Sequence, residues 1–99
     1  MQVNINSVHF KVDQKLEDFI QEKVGKLSSH YEDVIGSDVT LKVENAEIPE
    51  NKVAEIRLYI RGNDLYAKKQ CKTFEEAADT AVDALKRQIS KHKSKLRPR

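Results

Sequence analysis

Ninety-nine residues, 38% apolar and 34% charged, fit one domain around a single modest core and leave no room for a cleft between domains. No apolar run approaches the ~20 residues a bilayer span requires, and MQVNINSVHF lacks the features of a signal peptide, so the expected location is the cytoplasm. The formal charge of +2 hides an asymmetry: residues 1–85 hold 11 Lys/Arg against all 16 Asp/Glu, net −5, and residues 86–99 add seven cations and no carboxylate.

Residues 2–6, QVNIN, alternate in the period of a half-buried strand. Asp13 is placed to cap a helix over roughly 13–29, with Leu16, Phe19, Ile20, Val24 and Leu27 on one stripe. Gly36 and Ser37 read as a break, followed by a second strand in VTLKVE and a loop through NAEIPEN. Ala54, Ile56, Leu58 and Ile60 alternate with Glu55, Arg57, Tyr59 and Arg61, the clearest strand of the set. A tight turn at Gly62-Asn63-Asp64 then folds LYAKKQCK back as a hairpin, with Leu65, Ala67 and Cys71 inward.

Thr73 with Glu76 forms a capping box for a long helix whose stripe is Phe74, Ala77, Ala78, Ala81, Val82, Leu85, Ile89 and Leu96, ended by Pro98. The predicted order is β-α-β-β-β-α, an α+β fold. One four-stranded sheet carries both helices on one face, because each helix and the sheet has a single apolar side to bury.

At 100° per residue, Lys86, Lys93 and Arg97 form a row on one flank of the second helix and Arg87, Lys91 and Lys95 a row on the other. The helix macrodipole accounts for one or two cations in a last turn, not for seven over four turns. Such a field draws a polyanion to one end of the protein. A membrane-surface helix is disfavoured, since its apolar stripe is already needed for the core. Lys23 falls near the middle of the first helix's stripe, where it either snorkels past Leu27 or joins these rows together with Lys26. Lys68 and Lys72 share a strand face that Lys69 cannot.

Catalytic chemistry finds little support. His9, His30 and His92 lack metal-ligand spacing, Cys71 reads as a small core residue, and the three glycines are too scattered for a phosphate loop. The chain is expected not to be an enzyme and to need no cofactor or metal.

The opening QVNIN, the pattern LEDFIQEKVGKL, the strand VTLKVE and above all FEEAADTAVDALKRQISKHKSK resemble, in order and spacing, the short ribosome hibernation promoting factors, the bacterial group that includes protein Y. The resemblance covers essentially the whole chain. It implies a fold like that of double-stranded RNA-binding domains, with residues 1–97 as one ribosome-binding domain, 98–99 as a C-terminal end and no second domain. It also implies binding in the mRNA and tRNA channel of the small ribosomal subunit during starvation or stationary phase, through ribosomal RNA phosphates and with no small-molecule substrate. Because every strong apolar stripe is already assigned to one core, a monomer is expected off the ribosome.

Carried over by residue, the family's basic positions fall on Lys23 and Lys26, and on Arg87, Lys91 and Lys95 with Gln88 beside them. Ala84 stands where a lysine is common in the family, and Lys68, Lys69 and Lys72 where many members are acidic or neutral. The rival reading is a general double-stranded RNA-binding protein using the same charges on shape alone.

Overall fold

A computed structural model describes residues 2–45 and 47–96. The elements are β1 (Gln2–Ser7), α1 (Gln14–His30), β2 (Val34–Val43), β3 (Lys52–Ile60), β4 (Asn63–Cys71) and α2 (Phe74–Leu96), in the expected β-α-β-β-β-α order. They build one sheet of order β1-β2-β3-β4, in which β1 runs parallel to β2 and the remaining pairs are antiparallel. A parallel pair needs a crossover, which α1 supplies. Because β1 and β4 point the same way and a helix returns from each, α1 and α2 run in the same sense.

Both helices begin where side chains can satisfy free backbone N–H groups. The Asp13 carboxylate accepts from the Leu16 N–H at 2.8 Å. Thr73 Oγ1 accepts from the Glu76 N–H at 3.1 Å, while the Glu76 carboxylate reaches back to the Lys72 N–H at 3.4 Å, a capping box whose return arm lands one residue upstream.

The stripes then close on one face of the sheet. Leu16, Ile20, Val24 and Leu27 of α1 meet Val39, Leu41, Ala54, Ile56, Leu58, Ile60, Leu65 and Ala67 from the strands and Ala77, Ala78, Ala81, Val82, Leu85 and Ile89 from α2. Three fully buried alanines leave no bulk to hold α2 away from β3 and β4. Each fully buried Leu or Ile contributes about 1.5–3 kcal/mol. The Phe10 and Phe74 rings stack at 4.9 Å and cover the end of the core where both helices start.

Two boundaries differ from expectation. β2 begins at Val34 rather than Val39, so Gly36 and Ser37 lie inside a strand instead of breaking the chain. A bulge at Ile35 absorbs the irregularity. Gly36 pairs with Gln2 across the parallel ladder, where a Cβ would meet the Gln2 carbonyl oxygen at 3.4 Å. Parallel pairing to a distant segment is what extends this strand, and no local signal announces it. The hairpin turn is Arg61-Gly62, with Ile60 opposite Asn63, so Asn63 and Asp64 belong to β4. Gly62 takes the positive φ of 76° that the turn requires.

The predicted stop at Pro98 lies outside the described residues, as do the side chains of His30, His92 and Leu96.

The helices are also tied to the two outer strands by glutamines. Gln21 Nε2 donates to the Val3 carbonyl at 3.2 Å and Gln88 Nε2 to the Tyr66 carbonyl at 2.8 Å. The Val8 N–H bonds the Leu41 carbonyl, which fixes the alternation along β1 and turns the Val3 carbonyl away from β2. The Ile60–Asn63 pair does the same for β4, turning the Tyr66 carbonyl outward.

Candidate nucleic-acid interface

Each helix changes sign along its length. In α1, Glu17, Asp18 and Glu22, which outweigh Lys15, precede Lys23 and Lys26; in α2, Glu75, Glu76, Asp79 and Asp83 precede Lys86, Arg87 and Lys91. As the helices run in the same sense, the two reversals lie side by side, and one ion pair crosses between them. Lys23 Nζ is 3.4 Å from Asp79 Oδ1, with the two side chains 38% and 49% exposed, and it also lies 5.6 Å from the centre of the Phe19 ring. Lys23 therefore sits on the flank of α1 that faces α2, half-exposed, and not in the middle of the apolar stripe. Lys26, exposed, has Glu22 of its own helix at 3.8 Å as its one ion-pair partner among the described residues.

The pair at residues 23 and 79 also sets the relative reach of the helices. Beyond that level α1 continues about 10 Å to His30 and α2 about 25 Å to Leu96, so the basic turns of α2 outrun their neighbour. Lys86, half-buried, follows Asp79 by two turns on the flank facing α1. Arg87 and Lys91 are exposed toward the other side. None of the three has an ion-pair partner among the described residues. Lys11, Lys15, Lys52, Arg61, Lys69 and Lys72 have none either, but those are spread over α1, the strands and the loops, whereas these three stand together in one run.

Gln88 is turned to the edge of β4 by its bond to Tyr66, which commits its amide donor to the fold and leaves its side-chain oxygen. Lys93 and Lys95 continue α2, but their side chains lie outside the described residues, and Arg97 lies outside them altogether.

The uncovered face of the sheet offers a contrast. Asp38 accepts from Tyr59 and from Asn4, Lys42 lies 2.6 Å from Glu55, and Lys68 lies 3.3 Å from Glu44. Arg57 is 5.7 Å from the Tyr66 ring centre, beside a shallow depression of about 260 Å³ lined also by Asn6, Asp38, Thr40 and Glu55. Here the cations Lys42, Arg57 and Lys68 are each answered by an anion across the strands, so none of them is left over for a polyanion. Lys69 is half-buried on the helix side opposite Ala54, and Lys68 is on the open side opposite Glu55, the separation that strand alternation demands.

Cys71 is half-buried, and desolvation raises its thiol pKa, an environment opposite to that of a reactive cysteine. Among the described residues no group of His, Cys, Asp or Glu could hold a metal ion, and no helix is long and apolar enough to cross a membrane.

The family model described as "Sigma 54 modulation protein / S30EA ribosomal protein" matches residues 3–97. The chain belongs to this family. Its members are ribosome-binding proteins without enzymatic activity.

Among the relatives, the ribosome hibernation promoting factor of Pseudomonas putida is 35% identical over 95 residues, 96% of this chain and 89% of its own length. That of Escherichia coli K12 is 29% identical over 97 residues, 98% of each chain. Two solved structures share the fold: a ribosomal subunit interface protein from Coxiella burnetii superposes with a TM-score of 0.84 at 13% identity, covering 95% of this chain and 99% of that one. The N-terminal domain of Thermus thermophilus protein Y gives 0.78 at 18%, covering 93% and 99%.

Sequence reasoning missed Asp79 as a partner of the site. Its place among the acids of α2 suggests only a favourable helix N-terminus. Its contact with Lys23 depends on how two helices far apart in sequence are set side by side.

Proposed function

We propose that this protein is a ribosome hibernation factor that binds the small subunit in the channel used by messenger and transfer RNA, and so blocks translation in starvation or stationary phase. The observation that carries the reading is the basic run of α2, which holds no carboxylate and whose described cations Lys86, Arg87 and Lys91 lack ion-pair partners, in a chain of this family. Cations without intramolecular partners are free to neutralise phosphates. A row ~12 Å long along a helix, the rise from residue 87 to residue 95, can meet several phosphates of folded ribosomal RNA at once.

Lys23, Lys26, Lys86, Arg87, Lys91, Lys93, Lys95 and Arg97 supply the charge, with the Gln88 side-chain oxygen as an added acceptor. The protein acts in the cytoplasm as a monomer when off the ribosome, since its apolar stripes are spent on one core. It carries out no reaction; its effect is steric.

Occupation of the channel is tested by titrating the protein onto small subunits that are empty or programmed with messenger and initiator transfer RNA, at fixed salt. The apparent Kd should rise with occupancy of the channel. Equal affinity for both would place the protein elsewhere on the particle. If free duplex RNA competed as well as small subunits at equal nucleotide concentration, the protein would instead be a general duplex binder.

A further inference from the structure

The reversal of charge along α1 and α2 leaves one cation of the interface held by an anion of the opposite helix. Lys23 and Asp79 are both on the surface, so the pair is open to a competing phosphate. A phosphate that recruits Lys23 has to draw the ammonium off Asp79 and approach that carboxylate as it does so. The Lys26–Glu22 pair differs: it lies within one helix at 3.8 Å, with side chains 54% and 72% exposed, and constrains Lys26 little. Toward the C-terminus Asp83 follows one turn later on nearly the same face and Lys86 next on the flank itself, and beyond Asp83 the sequence holds no carboxylates.

From this arrangement, and resting on the RNA-binding reading above, we infer that Asp79 is a specificity-determining residue. It withholds Lys23 from RNA whose phosphates do not fit where the helices meet, and together with Asp83 one turn on it bounds the RNA-binding surface on that side. On a generic duplex, a phosphate reaching Lys23 meets the Asp79 charge with nothing to offset it. On a folded RNA that fits, Lys86 on the same flank helps to hold that phosphate while Arg87 and Lys91 hold other phosphates of the same RNA, and the exchange of Asp79 for phosphate proceeds. Asp79 thus weakens binding everywhere, and most where the fit is poor.

The test compares the parent with Asp79→Asn on two ligands, free duplex RNA and small ribosomal subunits, each over a salt series. Asp79→Asn should bind duplex roughly two- to fivefold more tightly, the range of one exposed ion pair, with a smaller gain on subunits. The slope of log K against log salt on duplex should steepen by about one phosphate equivalent as Lys23 is freed. In a Lys23→Ala background the same substitution should leave that slope unchanged.

An unchanged slope in the single variant, or a slope change that survives loss of Lys23, would overturn the assignment, as would weaker binding to both ligands. Asp79→Ala with matched melting temperatures guards against a fold defect. A parent protein that bound duplex but not subunits would defeat the hibernation reading, while the duplex series would still decide the role of Asp79.

Discussion

Asp38 shows how a single residue on the open sheet face answers to its neighbours. The Tyr59 hydroxyl, then the Asn4 amide, and more weakly the charge of Arg57 hold its carboxyl below the usual range. A depressed pKa means that the folded state binds the proton less readily than the unfolded chain. The stabilisation is thus complete above the ordinary value of about 3.9 and fades as pH falls through the folded value. Tyr59→Phe should return the Asp38 titration toward the ordinary range and move acid unfolding to higher pH. Carbon-13 NMR of the Asp38 carboxyl reads the first effect directly, and an unmoved midpoint would assign the shift to Arg57 and Asn4.

On α2, Arg87→Glu with Lys91→Glu should weaken ribosome binding by several kcal/mol through lost charge-assisted contacts. Both are exposed, so melting should move little, exposed changes usually costing under ~0.5 kcal/mol. Unimpaired binding by this variant would remove α2 from the contact surface. These cations were legible in the sequence because a run without carboxylates needs no structure to be seen. The anion that restrains Lys23 was not, since helical spacing places a residue on a flank without naming what faces it.

The elements divide in the same way. α1, β3 and α2 could be read from the chain because each has one apolar side, a period and, for the helices, a capping residue. The start of β2 could not, because Gly36 and Ser37 carry the chemistry of a break and are held in the sheet by β1 on one side and β3 on the other. The hairpin turn lies earlier than its sequence suggests for a related reason: Asn63 and Asp64 are good turn formers, but of Gly62, Asn63 and Asp64 it is Gly62 that takes the positive φ.

Gly25 marks where α1 is weaker than it needs to be. It lies within the helix, and a Cβ there would meet nothing within 4 Å. Gly25→Ala should therefore stabilise the protein by about 0.5–1 kcal/mol, read as a higher urea midpoint at constant slope. A lower midpoint would show that the glycine serves α1 in some way other than leaving it flexible.

At the scale of the whole molecule, a basic end on an otherwise acidic body gives the protein a polarity that its net charge of +2 conceals. The sheet is also finite, and its outer strands, β1 and β4, each expose a row of backbone groups that another chain could pair with. Gln21 and Gln88 each fill one of the acceptors in those rows, from opposite helices and with the same chemistry. The two glutamines thus act as terminators of polymerisation: a second copy arriving edge-on finds a carbonyl already taken at the centre of β4 and near the start of β1. A protein carrying Gln21→Ala with Gln88→Ala, agitated at high concentration, should form thioflavin-binding fibres before the parent does. Equal lag times would mean that the lysines of β4 and the shortness of β1 already suffice to keep the sheet at four strands.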